Sequence, residues 1–374
     1  MRILLTGGGT GGHFYPLIAI AEKINEIADH ENLIDLKIYF MSDTPVDKQA
    51  LFETNITFIQ VPAGKMRIYF SIKNFLDLFK AFLGGIVGII KVFSIYPDVI
   101  ISKGGYGAFP AVLAGRILRI PIILHESDSS PGRLNLWTAK FAKRVAVSYA
   151  EAGEKFPKDK TAWVGQPVRR AIAKKAEHGG HEFFKLDPNL QTIFILGGSQ
   201  GADIINSTII EVLPELLKKY QIIHQTGPKN IKEVKMRSDL VLENSNFKHR
   251  YLPFAYMNNI ETKMAAGAAN LIISRAGSTI FEIASWGIPS IIIPITNSNG
   301  DHQRKNAFTY ARTGACVVLE ENNLQPHILT TEIDKLLNSK ERLEQMSEKA
   351  YAFSTPEAGE MLAQEAVNIA LTHQ

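Results

Sequence analysis

Short, unbroken apolar runs recur along the chain: Ile3-Leu4-Leu5, Val99-Ile100-Ile101, Ile122-Ile123-Leu124, Ile193-Phe194-Ile195-Leu196 and Leu271-Ile272-Ile273. They show no alternation of polar and apolar positions. Each therefore reads as a strand covered on both faces, as in a parallel sheet between helices. Leu36 to Met41 reads as a further strand after the first helical pattern. The order strand, glycine turn, helix, strand predicts βαβ units.

The pattern repeats. Asp98-Val99-Ile100-Ile101-Ser102-Lys103-Gly104-Gly105 reads closely against Asn270-Leu271-Ile272-Ile273-Ser274-Arg275-Ala276-Gly277. Ile120-Pro121 precedes the next strand in one half, and Ile288-Pro289 does so in the other. This predicts two doubly wound, Rossmann-like α/β domains, 1–164 and 165–355, with parallel sheets facing a central cleft. Gly165-Gln166-Pro167 breaks the pattern between them as a hinge, and an amphipathic segment, 357–371, ends the chain. Ligands of such sheets bind beyond the carboxyl ends of the strands, at the point where strand order reverses.

Two glycine loops fall at such ends: Gly7-Gly8-Gly9-Thr10-Gly11-Gly12, which runs into His13, and Gly197-Gly198-Ser199-Gln200-Gly201. Glycine lets backbone N–H groups approach an anion, and the following helix N-terminus adds partial positive charge. The first loop also satisfies Gly-x-Gly-x-x-Gly, but Asp43 follows it by about thirty residues where a dinucleotide site uses about twenty. No His-Glu-x-x-His and no Asp-x-Asp after a strand is present. A diphosphate held without metal needs helix N-termini and a cation, and Arg169, just after the hinge, supplies one.

Composition narrows the class further. The chain has 374 residues, of which 45% are hydrophobic and 21% charged, as in a folded two-domain protein. Cys316 is the single cysteine, which excludes a disulfide framework. The glycine loop comes too early for a signal peptide, so a cytoplasmic protein is expected. A net charge of +4 favours anionic partners.

The segment 65–96 combines Lys65, Arg67, Lys73, Lys80 and Lys91 with Phe70, Phe75, Phe79, Phe82 and Phe93. Cationic and apolar character together suit a surface of anionic lipid. Its longest uncharged stretch, Ala81 to Ile90, is too short to cross a bilayer core, which needs about twenty residues.

Seven motifs stand in order: Gly7 to His13, Ser102-Lys103-Gly104-Gly105-Tyr106, His125-Glu126-Ser127-Asp128, Gly165-Gln166-Pro167-Val168-Arg169, Gly197 to Ala202, Ser274-Arg275-Ala276-Gly277 and Asp301-His302-Gln303-x-x-Asn306. Together, over nearly the whole chain, they resemble the GT-B glycosyltransferases of family 28 that serve peptidoglycan synthesis. The resemblance implies an inverting transfer of N-acetylglucosamine from UDP-GlcNAc to the muramyl 4-hydroxyl of lipid I, giving lipid II, with no cofactor or metal. It implies that the second domain holds UDP: Ser199 at the diphosphate, Ser278 and Thr279 nearby, Glu282 on the ribose, Gln303 near the donor sugar, and Ala255 in the base-contact loop. Thr10, Gly11, Gly12, Asp128 and Arg169 join the donor contacts.

For the acceptor, the resemblance implies the first domain, with Gly104, Gly105, Tyr106 and Glu126; Thr10-Gly11-Gly12 and Gly104-Gly105-Tyr106 are cradles for its diphosphate. It also implies peripheral attachment to the cytoplasmic face of the cell membrane through segment 65–96. His13 is the first choice of general base, because imidazole titrates near neutrality; Asp128 and Glu126 are its rivals. Asp128 departs from the asparagine that many relatives carry. The competing expectations are a different lipid-directed transferase, a UDP-GlcNAc 2-epimerase, an idle sugar-nucleotide-binding subunit and, last, an NAD oxidoreductase.

Overall fold

Seven parallel strands make the first sheet: β1 (Arg2–Thr6), β2 (Lys37–Ser42), β3 (Ile56–Gln60), β4 (Val99–Ser102), β5 (Ile122–Glu126), β6 (Arg144–Val147) and β7 (Thr161–Trp163). Their spatial order is β3-β2-β1-β4-β5-β6-β7, so the direction of winding reverses between β1 and β4. Six more form the second sheet: β8 (Thr192–Leu196), β9 (Gln221–Gln225), β10 (Tyr251–Phe254), β11 (Leu271–Ser274), β12 (Ser290–Ile292) and β13 (Cys316–Val318). Here the order is β10-β9-β8-β11-β12-β13, with the reversal between β8 and β11. The structure is a computed structural model that describes residues 1–9, 11–64, 72–197, 202–296 and 298–373.

The chain divides into two units, Met1–Arg169 with the chain from Thr355 onward, and Arg170–Ser354. The internal repeat has the same place in each. Thr6 pairs with Ser102 at the end of β1 and β4, as Leu196 pairs with Ser274 at the end of β8 and β11. The turns that follow therefore leave each sheet at its reversal point. β4 and β11 are buried along their whole length, which is why neither shows polar alternation.

In the first unit, Ile3 and Leu5 of β1 pack with Phe14, Leu17 and Ile20 of the helix Gly11–His30. Leu362, Ala366 and Val367 of the last helix, Ala358–Thr372, enter the same core. Each buried Leu or Val contributes about 1.5–3 kcal/mol to holding that helix there. In the second unit, Ile193 and Ile195 of β8 pack with Ile205, Ile209 and Leu213 of the helix Asp203–Leu216.

The helix Ile72–Ile95 is longer than the uncharged stretch marked in the sequence, because Lys80 and Lys91 interrupt the apolar run without breaking the helix. By length and composition alone, Asp77–Ile95 is long enough to cross a membrane. One face carries Gly84, Gly85 and Gly88, which lie against Pro62, Pro110 and Leu113 so closely that a Cβ would collide at Gly84 and Gly88. The opposite face exposes Leu78, Phe79, Phe82, Ile86, Ile90 and Phe93. Lys65, Arg67 and Phe70 of the segment 65–96 lie outside the described residues.

Candidate functional site

The first unit builds its site where β1 and β4 end. The Gly8 N–H donates to the Gly104 carbonyl at 2.9 Å, which ties the two glycine turns together. No side chain fits between them: a Cβ on Gly8 would lie 2.9 Å from the Gly107 nitrogen. Gly104 and Gly105 both have φ of 75°, the left-handed region that glycine enters without strain. A Cβ at Gly105 would fall 2.9 Å from His13 Nδ1, so the turn and the imidazole are in direct contact.

His13 stands in the first turn of the helix Gly11–His30, beside Gly11 and Gly12. Its Nδ1 lies 2.9 Å from the Gly8 carbonyl oxygen. A carbonyl only accepts, so Nδ1 carries the proton and Nε2 is the basic nitrogen of the neutral ring. Thr10 lies outside the described residues.

Tyr106 follows the turn, and its hydroxyl donates to the Asp43 carboxylate. Burial, then the charge and hydrogen bond of Asp43, push the phenol up to about 12. Arg169 belongs to the first unit, not to the second where the sequence boundary placed it; its guanidinium lies 3.7 Å from the centre of the Tyr15 ring.

Behind the turn lies a buried polar cluster. Lys103, only 1% exposed, donates to His125 Nδ1 at 2.6 Å and to Gln166 Oε1 at 2.9 Å. His125 Nε2 donates to the Gly165 carbonyl at 2.8 Å, and Ser148 Oγ donates to Gln166 Oε1 at 2.8 Å. Burial lowers Lys103 to about 7 against the opposing pull of Glu126 and Asp128. Burial and the Lys103 charge hold His125 well below the usual imidazole range.

Glu126 ends β5 and shapes the turn after it. Its carboxylate accepts from the Asp128 N–H at 2.9 Å, the Gly132 N–H at 3.0 Å and Asn135 Nδ2 at 2.8 Å. Burial and the Asp128 charge raise it above the ordinary carboxylate range. Asp128 itself is half-buried in that turn. Three buried polar atoms here have no hydrogen-bond partner among the described residues: Ser127 Oγ, Asn135 Oδ1 and Gln166 Nε2.

The second unit places its residues at the ends of β10, β11 and β12. Ser278 precedes the helix Thr279–Trp286, whose first turn carries Thr279 and Glu282, all three half-buried. Ala255 follows β10, and the nearby Met257 N–H donates to Gln225 Oε1 at 3.0 Å. Gln303 Oε1 accepts from the Ile295 N–H at 3.1 Å, while its own N–H donates to Ser298 Oγ at 3.2 Å. Asn306 Nδ2 donates to the Ala276 carbonyl at 3.1 Å, linking that helix to the turn after β11. Ser199 lies outside the described residues.

Arg275 fastens this edge. It donates to the Ile293 carbonyl at 3.1 Å and to Glu321 Oε1 at 2.6 Å, and Glu321 Oε2 accepts from the Thr296 N–H at 2.9 Å. Burial works against the charged Glu321, but the hydrogen bonds from Thr296 and Arg275 outweigh it and hold the carboxyl below its usual range.

Two family models cover most of the chain. The glycosyltransferase family 28 N-terminal domain matches residues 3–147, and its C-terminal domain matches 192–362. The chain belongs to glycosyltransferase family 28.

Among its family 28 relatives, a Bacillus cereus protein is 35% identical over 343 residues, 91% of this chain and 92% of that one. A Leuconostoc citreum protein is 35% identical over 371 residues, 97% of each. Both are named UDP-N-acetylglucosamine–N-acetylmuramyl-(pentapeptide) pyrophosphoryl-undecaprenol N-acetylglucosamine transferase. Among solved structures, Acinetobacter baumannii MurG superposes with a TM-score of 0.72 at 22% identity, covering 98% of this chain and 99% of that one. Neisseria meningitidis UDP-GlcNAc 2-epimerase gives 0.68 at 16%, covering 98% and 100%. These likenesses establish the GT-B fold.

The structural roles of Lys103, His125, Gln166 and the Arg275–Glu321 pair arise from contacts across 22 to 63 residues, which motif spacing does not show. The one sequence signal for them is the repeated Ser-Lys/Arg after β4 and β11.

Proposed function

We propose that this family 28 chain transfers N-acetylglucosamine from UDP-GlcNAc to the 4-hydroxyl of the muramyl sugar in lipid I, giving lipid II. The observation that carries this reading is the match, along nine-tenths or more of the chain, to relatives named for that transfer. The site chemistry agrees with it. His13 Nε2 is the general base that takes the hydroxyl proton as the oxygen attacks the anomeric carbon. The donor linkage is α and the product β, so one displacement through an oxocarbenium-like transition state inverts the centre.

UDP leaves as the bond to its β-phosphate oxygen breaks. Ser199 and the helix after the second glycine loop meet the negative charge that develops there. Glu282 takes the ribose hydroxyls, Gln303 contacts the donor sugar, and Ser278, Thr279 and Ala255 complete the nucleotide seat. Thr10, Gly11, Gly12 and the turn Gly104-Gly105-Tyr106 hold the lipid-linked diphosphate. Glu126 acts through the turn it shapes. The exposed Phe face of the helix Ile72–Ile95, with Lys80 and Lys91, rests on the cytoplasmic leaflet.

The test incubates purified protein in detergent and EDTA with radiolabelled UDP-GlcNAc, with and without a short-chain lipid I analogue. Acceptor-dependent label in lipid is the expected result. Conversion of free UDP-GlcNAc without acceptor would overturn the reading in favour of an epimerase, which shares the architecture.

A further inference from the structure

The cations that follow β4 and β11 are equivalent by repeat and by register, yet they are neutralised differently. Arg275 meets the Glu321 carboxylate directly at 2.6 Å. Lys103 is more deeply buried, and its ammonium donates to two neutral acceptors, His125 Nδ1 and Gln166 Oε1. A buried ammonium is unfavourable unless an opposite charge compensates it. Its compensation within the chain is the Coulombic attraction of Glu126 and Asp128.

Its position gives that charge a use. Lys103 immediately precedes Gly104-Gly105, whose carbonyl at Gly104 holds the Gly8 N–H of the other glycine turn. It stands at the reversal point of the first sheet, where ligands of doubly wound folds sit. Ser127 Oγ, Asn135 Oδ1 and Gln166 Nε2 are buried nearby with no partner among the described residues, as expected where a polar ligand or solvent completes the hydrogen bonding. The groups that face it are His125 from β5, Glu126 and Asp128 from the end of β5 and its turn, and neutral Ser148 and Gln166 from the chain after β6 and β7; Tyr106 and His13 border the glycine turns.

We propose that Lys103 is an affinity determinant for the acceptor: its ammonium, held between His125 and Gln166 at the strand ends beside the turn it precedes, is the positive charge that a diphosphate seated on the paired glycine turns meets. This rests on the reading of the first unit as the acceptor domain. Burial holds Lys103 at about 7 in the free protein, so the charge fades as pH rises through neutrality. A diphosphate on the turns favours the protonated form. The acceptor KM is therefore low on the acid side and climbs with pH, whereas UDP affinity does not follow it.

The experiment measures acceptor KM, kcat and UDP affinity from pH 6 to 9 with a soluble short-chain lipid-linked diphosphate, for wild type, Lys103→Met and Lys103→Arg. In wild type the acceptor KM rises about tenfold per pH unit at most above the lysine's titration. Lys103→Met gives a high KM at every pH, and Lys103→Arg, always cationic, keeps a low KM to pH 9. UDP affinity stays within twofold (about 0.4 kcal/mol) throughout. A wild-type acceptor KM that is flat across the range overturns the proposal, even if neither variant folds. So does a folded Lys103→Met enzyme with the wild-type profile. Absence of acceptor-dependent transfer by wild type at any pH would instead remove the transferase reading, and this inference with it.

Discussion

His13 Nδ1 lies 2.9 Å from the carbonyl oxygen of Gly8, five residues earlier in the same glycine loop. That contact selects the tautomer: in the neutral ring the proton sits on Nδ1, and Nε2 carries the lone pair. The glycine loop thus orients the imidazole through one of its carbonyls.

On the proposed mechanism, His13→Ala removes the base while sparing the second unit. kcat should fall by about 10²–10⁴-fold, the usual span for a positioned general base. UDP binding, followed by calorimetry, should stay near wild type. A variant with near-normal turnover would take His13 out of the role.

Gly105→Ala tests the contact from the other side. The residue has φ of 75°, and its new Cβ would sit 2.9 Å from His13 Nδ1. The backbone strain costs about 1–3 kcal/mol, and the imidazole must move. A lowered melting temperature together with a fall in kcat is expected; lowered stability with normal kcat would separate the turn from the base.

Arg275→Met should loosen the loop after β12, because Glu321 then holds Thr296 without its cation. The loss is about 1–3 kcal/mol in the second unit, with a raised KM for UDP-GlcNAc. Its pH dependence has a definite sign. The Glu321 carboxyl is held below its ordinary value in the folded chain, so its contribution is present above the unfolded carboxyl's ~4.3 and disappears as pH falls through the lower folded value. Melting curves of wild type and Glu321→Gln should therefore diverge at neutral pH and converge in acid.

Phe82→Ser combined with Phe93→Ser addresses the exposed helix face. Each buried phenyl ring is worth about 1.5–3 kcal/mol in an apolar environment, so vesicle binding should weaken by about tenfold or more per residue. Co-sedimentation with anionic vesicles measures it. Turnover of a detergent-soluble acceptor should be unchanged, since neither side chain touches the glycine turns.

Much of the architecture was legible because it depends on local pattern. Val99-Ile100-Ile101 and Leu271-Ile272-Ile273 lack polar alternation because both faces of β4 and β11 are covered. The glycines at 104 and 105 announce a turn because other residues adopt positive φ only with strain. Even the helix Ile72–Ile95 was visible as a cationic, Phe-rich segment, although two lysines disguised its length.

The sequence by itself determined the two βαβ halves, their glycine turns, and His13 at the exit of the first, since dihedral freedom and hydrophobic period are properties of neighbours in the chain. Tertiary structure decided what the charges do. Lys103 meets His125 and Gln166 across separations of 22 and 63 residues, and Arg275 meets Glu321 across 46. Whether a lysine is solvated or buried against neutral acceptors depends on which strand ends the sheet brings together, and no local pattern in the chain encodes that distance.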